Sequence, residues 1–269
     1  MNLAELLPVA MEALDIASGI VRASTPGALT PKGERDIVSD VDLAVERRLR
    51  DLLHDRTPGI GFLGEEHGSA SWGDGRLVWT LDPVDGTVNF VRNVPLCAVS
   101  LALLDAGRPV LGAIDLPFLG ARYHATEGGG AYVSGRQLRL GPARPLNEAI
   151  VALGDFAVGQ SSQERNRVRV EVAHQLADRA LRVRMLGSAA IDLAWLAEAK
   201  VDASITLSNQ PWDMAAGVIL AREAGAQVVD ELAAPHTVGS RVTLAASPPL
   251  ADEIARLVAD AMGRFPGSI

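Results

Sequence analysis

Apolar residues recur at helical spacing at Leu3, Leu6, Leu7, Ala10, Met11, Leu14, Ala17, Ile20 and Val21, which predicts an amphipathic first helix. Pro26, Gly27, Pro31 and Gly33 interrupt the pattern, so the stretch from Arg22 to Arg35 reads as a loop holding Lys32 and Arg35. Val41, Ala44, Val45, Leu49, Leu52 and Leu53 then carry a second helix, with Ser39 or Asp40 as its N-cap, capping rather than chemistry being the role expected of Asp40. A short strand, Gly59 to Leu63, stops at Gly64-Glu65-Glu66-His67. A stronger apolar run, Leu77 to Leu81, breaks at Asp82-Pro83-Val84-Asp85-Gly86-Thr87. Cys97 to Leu104, Pro109 to Leu116, Ala121 to Ala125 and Ala131 to Ser134 predict a meander of strands.

Beyond a loop at Arg139 to Leu146 the period changes. Strands at Ile150 to Leu153, Arg182 to Leu186, Val201 to Leu207, Gln227 to Val229 and Val242 to Ala246 alternate with helices. The helices are Gln163 to Ala177, Ala189 to Leu196, Met214 to Ala224 and Pro249 to Met262. An antiparallel first half followed by strand–helix alternation predicts an α/β chain of two layered halves, 1–145 and 146–269, forming a single unit.

Composition narrows the classes. The chain has 269 residues, is 48% hydrophobic and carries a net charge of −8. It is long enough for a large core and too acidic for a general nucleic-acid binder. Cys97 is the only cysteine, which excludes an intrachain disulfide and a cysteine zinc cluster; its apolar surroundings predict a buried small hydrophobe. No apolar run reaches the ~20 residues of a membrane span. The first residues lack the basic start of a signal peptide. A soluble cytoplasmic protein is the expectation.

The candidate chemistry sits where apolar runs end. Proline fixes φ and glycine permits positive φ, so Asp82 and Asp85 can converge on one hard cation. A turn of helix over Thr87 to Val91 would turn the Gly86 and Thr87 amides toward an anion. Glu65 follows a strand in the same way, and Asp213 stands in the first turn of a helix after Pro211-Trp212. Gly187-Ser188-Ala189-Ala190 is a similar strand-to-helix junction, with Ser188 as its cap. His67 pairs with no other histidine at ligand spacing and is expected to be solvated. Gly128-Gly129-Gly130 lacks a following Lys-Ser/Thr and reads as a hairpin, not a phosphate cradle. Carboxylates clustered without counter-ions repel unless a cation binds, and oxygen-only donors point to Mg²⁺.

Gly64-Glu65-Glu66, Asp82-Pro83-Val84-Asp85-Gly86-Thr87 and Trp212-Asp213-Met214-Ala215-Ala216-Gly217 resemble the signature segments of the inositol monophosphatase family, Mg²⁺-dependent and lithium-sensitive phosphomonoesterases. The resemblance runs over essentially the whole chain. It implies an αβαβα sandwich of the inositol monophosphatase and fructose-1,6-bisphosphatase type, commonly assembled as a homodimer. It implies that Glu65, Asp82 and the Val84 carbonyl hold one Mg²⁺, and Asp82, Asp85 and Asp213 a second. A third, weaker ion is associated with Glu65. Thr87 would orient the attacking water, with Asp42 behind it. Gly86 and Thr87 amides would hold phosphate, and Asp85, Gly187, Ser188, Ala189 and Ala190 would meet the rest of the substrate.

The substrate implied first is inositol 1-phosphate. One departure bears on it. Many inositol-preferring members carry a glutamate where this chain has Thr206, and Ser204 to Gln210 contains no carboxylate. Histidinol phosphate, another sugar phosphate or a 3′-phosphorylated nucleotide are alternatives within the same chemistry. A non-catalytic Mg²⁺- or phosphometabolite-binding regulator is the alternative of another class.

Overall fold

The computed structural model describes residues 3–25, 29–33, 36–70 and 76–265. Two helices, α1 (Leu3–Ala23) and α2 (Asp40–Arg56), lie against one face of a sheet that has eight strands among the described residues. The strands are β3 (Gly61–Gly64), β4 (Gly68–Ala70), β5 (Leu77–Asp85), β6 (Ala98–Asp105), β7 (Arg108–Leu116), β8 (Ala121–Thr126), β9 (Gly130–Val133) and β10 (Arg136–Gln137). Their order is β10-β9-β8-β7-β6-β5-β3-β4. The sheet is antiparallel except at β3 and β5, which run parallel, so the first half is not purely antiparallel as expected.

A second sheet combines β11 (Ile150–Leu153), β12 (Arg182–Arg184), β13 (Ala203–Thr206), β14 (Gln227–Val229) and β15 (Thr243–Ala246), in the order β12-β11-β13-β15-β14. β11 is parallel to both neighbours, while β15 is antiparallel to β13 and β14. Helices α5 (Ala189–Ala197) and α6 (Pro211–Glu223) pack between the two sheets. Helices α4 (Ser162–Arg179) and α7 (Pro248–Arg264) cover the outer face. The result is the αβαβα sandwich. Because α5 and α6 touch a sheet on each side, both are apolar all round, which explains why neither shows a clear amphipathic stripe.

Two expectations are corrected near the N-terminus. The stretch read as a loop contains β1 (Leu29–Gly33), which pairs antiparallel with β2 (Asp36–Ser39). Pro31 sits in a two-strand ribbon, and the register shifts between Pro31 and Gly33, so these residues mark an irregular edge rather than the absence of a strand. The side chain of Lys32 and the whole of Arg35 lie outside the described residues. Second, of the two caps offered, Ser39 is the one that forms, while Asp40 is the first helical residue and does not cap: the Ser39 hydroxyl accepts from the Asp42 amide, and Asp42 reaches back to the Ser39 backbone in a capping box.

Two smaller expectations hold. Cys97 is buried. The triple glycine forms the β8–β9 hairpin, where the Glu223 carboxylate accepts from the Gly128 and Gly130 amides at 2.9 and 2.8 Å. No helix among the described residues is long and apolar enough to cross a membrane.

His236 gives a test of the second half. It is 4% exposed, and its Nε2 lies 2.8 Å from Thr243 Oγ1 and 3.1 Å from Asn209 Nδ2. Burial, reinforced by Arg222, pushes its pKa down to about 4. A lowered value means the fold favours the neutral ring. That contribution is complete above the unfolded value of about 6.5 and is lost as pH falls toward 4. His236→Gln is therefore expected to show a shallower fall in Tm than the wild type across that window. Equal slopes would count against it.

Candidate active site

β5 carries the centre of the site. Trp79 and Leu81 point into the α1–α2 side of the core, so strand alternation turns Thr80 and Asp82 toward α6. Opposite Asp82 on β6, Ser100 donates to the Trp212 carbonyl of α6 at 3.3 Å, tying the two layers together. β5 does not end at Leu81, as its apolar run suggested. It continues to Asp85, with a register shift between Asp82 and Asp85 that accommodates Pro83. Gly86 follows with φ of 92°, and a side chain there would press on the Leu96 and Gly187 carbonyls at 2.9 and 3.0 Å. The chain then enters the five-residue helix α3 (Thr87–Val91), as the sequence predicted.

Asp82 and Asp85 each have one carboxylate oxygen held by hydrogen bonds from the protein. Asp82 Oδ1 accepts from the Val84 amide at 3.0 Å. Asp85 Oδ2 accepts from Ser188 Oγ at 2.8 Å and the Ala190 amide at 2.6 Å, which joins β5 to the start of α5. Ser188 caps α5 as expected, accepting from the Ile191 amide. Thr87 Oγ1 lies 3.0 Å from Asp42 Oδ1 and 3.1 Å from the Val84 carbonyl. Asp42 is fully buried, and its other oxygen is held by the Ser39 hydroxyl. Asp213 occupies the first turn of α6, behind the cap residue Gln210.

The electrostatics are one-sided. Burial raises Asp82 well above the ordinary carboxylate range, and Glu65, Asp85, Asp213 and Asp42 each raise it further. Burial also lifts Asp85 to about 6, against the hydrogen bonds from Ala190 and Ser188 that pull it down. Glu65, Asp82, Asp85 and Asp213 thus share one electrostatic neighbourhood without a cationic side chain among the main influences on Asp82. They do not form a closed cage. Among the described residues no three His, Cys, Asp or Glu side chains stand at ion-gripping distance. The donor set fits a hard divalent cation.

A cleft of about 440 Å³ opens beside these groups, and Asp85, Asp213, Gly187, Ser188, Ala189 and Thr206 line it. Ala190 contributes its amide to Asp85 from just behind. The segments 82–87, 187–190 and 206–213, far apart in sequence, therefore meet at one opening.

This layout agrees with the comparison to known families: residues 2–262 match the inositol monophosphatase family model. The chain belongs to the inositol monophosphatase family. The inositol-1-monophosphatase ImpA of Mycolicibacterium smegmatis is 38% identical over 258 residues, covering 96% of this chain and 93% of that protein. The Nus factor SuhB of Escherichia coli is 34% identical over 84% of this chain and 85% of its own. Among solved structures, the Thermotoga maritima IMPase superposes with a TM-score of 0.87 at 27% identity, covering 96% of this chain and 98% of that one.

Within this inositol monophosphatase fold, sequence reasoning missed several residues. His67 is not simply solvated: its Nδ1 lies 2.8 Å from Glu46 Oε1. Glu46 is itself fully buried and also accepts from the Glu66 and His67 amides, each at 2.8 Å. Its signal was a carboxylate one turn after Asp42, on the stripe of α2 that holds Val45, Leu49 and Leu53. Asn89 Nδ2 donates to the Leu96 and Leu186 carbonyls at 2.8 and 2.7 Å, clamping α3 to the segment before Gly187. Asp155 and Asp192, both lining the cleft, also went unremarked.

Proposed function

We propose that this protein is a Mg²⁺-dependent phosphomonoesterase that hydrolyses a small phosphorylated polyol, inositol 1-phosphate first among them. The observation that carries the reading is buried Asp82, surrounded by Glu65, Asp85 and Asp213, beside a threonine hydroxyl set by a buried aspartate. Glu65, Asp82 and the Val84 carbonyl would hold one ion, and Asp82, Asp85 and Asp213 the second, with room for a weaker third near Glu65. The oxygens of Asp82 and Asp85 not engaged by the protein are the ones offered to a cation, and the engaged ones fix each carboxylate's orientation. Bound Mg²⁺ supplies Lewis acidity, lowering the pKa of water and neutralising charge on the phosphoryl group.

The protein's own groups do the positioning. Thr87 points its single hydroxyl proton at Asp42 or the Val84 carbonyl, which leaves its lone pairs to accept from the attacking water. Amides of Gly86 and Thr87, at the turn into α3, would bind phosphoryl oxygens. Asp85, Gly187, Ser188, Ala189, Ala190 and Thr206 would meet the alcohol portion. Lithium inhibition, a homodimer and a cytoplasmic location complete the reading.

The competing view is a non-catalytic regulator that kept the fold, prompted by the Nus factor name of one relative. Retention of the whole carboxylate set with Thr87 favours catalysis. Phosphate release from inositol 1-phosphate, histidinol phosphate, fructose 1,6-bisphosphate and adenosine 3′,5′-bisphosphate decides between them, each assayed with Mg²⁺, with chelator and with lithium. The expected result is Mg²⁺-dependent turnover that favours the polyol monophosphate. No release from any of them would remove the enzymatic reading.

A further inference from the structure

A second cavity, of about 620 Å³, opens where the β6–β7 turn meets the end of α6 and the segment joining β14 to β15. It lies at the far end of the elements that build the acidic cleft. Asp82 pairs with Ser100 and Leu77 with Asp105, so the turn after Asp105 stands roughly 17 Å of strand away from Asp82. Asp213 and Arg222 occupy the first and last turns of α6, about 14 Å apart along its axis. None of the carboxylates that would hold metal lines this cavity.

Its walls are largely apolar and fixed in place. Ala106 and Gly107 have φ of 50° and 77°, as a tight two-residue hairpin turn requires. The Ala106 amide also donates to the Arg76 carbonyl at 2.7 Å, which holds the turn from outside. Pro109, Ala226, Val228, Pro235 and Val238 supply apolar surface, and two guanidinium groups, those of Arg108 and Arg222, line the cavity with them. Arg222 is half-buried. Its Nη2 donates to the His236 carbonyl at 2.6 Å, which uses one of five N–H donors. The last turn of a helix suits a cation, but that is a small effect. No carboxylate is among the influences on the Arg222 pKa, which burial and Arg108 both lower.

The acids nearby are already engaged. Glu127 pairs with Arg108, and Asp105 with Arg76 at 2.7 Å. Glu223 accepts from the Gly128 and Gly130 amides, and Asp230 from the Leu232 and Ala234 amides. Burial and Arg222 keep the His236 ring neutral, so it adds no charge. Arg222 is left as the positive group that the protein does not neutralise.

We propose that this cavity is a second ligand site, for a small organic anion whose head meets Arg222 and Arg108 while its body lies on the apolar wall. A guanidinium partly withdrawn from water beside another guanidinium gains most from a planar or tetrahedral oxyanion, which it grips with paired N–H donors. The volume and the mixture of many apolar groups with a few polar ones are those of a small-molecule site. The site stands apart from the metal centre and takes no part in hydrolysis.

Calorimetric titration of the full chain with phenylphosphonate, whose carbon–phosphorus bond phosphatase chemistry does not cleave, tests this with Mg²⁺ and with chelator. The wild type is expected to bind in both conditions. Inorganic phosphate lacks the body and should bind at least about tenfold more weakly in chelator. Arg222→Gln should weaken phenylphosphonate binding in chelator about tenfold, and Arg108→Ala should weaken it several-fold. The exposed Arg108–Glu127 pair adds little stability, so Arg108→Ala stays folded and reports on the site by itself. Binding seen only with Mg²⁺ belongs to the metal centre and overturns the proposal, as does no binding at all. Unchanged affinity in both variants overturns it too, and so does inorganic phosphate that binds as tightly as phenylphosphonate. A protein that binds in chelator yet releases phosphate from no ester keeps this site and loses the phosphomonoesterase reading.

Discussion

Asp82→Asn is expected to lower phosphate release by about three decades or more while leaving the fold intact. The carboxylate it removes is the only one proposed to touch both ions. Several kcal/mol of charge stabilisation, at ~1.4 kcal/mol per tenfold, gives a loss of that size. The variant should not be less stable in chelator. Asparagine keeps the oxygen that accepts from the Val84 amide and removes a buried charge that Glu65, Asp85 and Asp213 all oppose. The sign with pH follows from the raised pKa. Asp82 favours the fold while it is protonated, and that contribution is lost as pH rises from its unfolded value, about 3.9, through its higher folded value. In chelator, wild-type stability relative to the variant should therefore decline as pH rises above about 4. Added Mg²⁺ should raise the wild-type Tm and leave the variant unmoved, because only the wild type has the bridging ligand. A variant with near wild-type Mg²⁺-dependent turnover would sink the assignment of Asp82.

That centre was legible in the sequence for a physical reason. A turn that gathers two carboxylates, a carbonyl, two amides and a hydroxyl must be short, and it needs proline and glycine to bend, so Asp82 to Thr87 leaves a dense local mark. Glu65 and Asp213 were legible as acids at the end of a strand and the start of a helix. The layers were legible because strands that alternate with helices must stack them. What escaped is non-local. Glu46 and Asp192 look like ordinary acids on helices until packing shows that each is covered. The β1–β2 ribbon hid because its strands owe more to each other's backbone than to apolar spacing, with Pro31 and Gly33 masking the pattern. Asp155 was invisible because nothing local to it signals a cleft; only α5 and β13, arriving from elsewhere, create one.

Glu46 offers the sharper test of how the site is held. α2 carries two buried acids one turn apart: Asp42 reaches Thr87, and Glu46 reaches the turn that presents Glu65. One rigid helix thereby sets both edges of the site. The carboxylate of Glu46 fills the space a Gly64 side chain would need, so the glycine and the acid depend on each other. Glu46→Ala leaves two amides and the His67 ring without their acceptor and opens a void beneath the turn. Lost hydrogen bonds to a charged group cost about 1.5–3 kcal/mol each before any relaxation, enough to loosen Glu65. The expected result is a fall in Tm together with at least about a tenfold rise in the Mg²⁺ concentration for half-maximal activity, as for groups that orient metal ligands. Glu46→Gln keeps the volume but sets an amide NH₂ against N–H donors, so it should shift Mg²⁺ dependence with a smaller change in Tm. The two readouts separate the possibilities. If Tm falls and the Mg²⁺ requirement of the folded fraction stays put, Glu46 serves only the core; if both move, α2 is the strut on which Glu65 and Thr87 are jointly aligned.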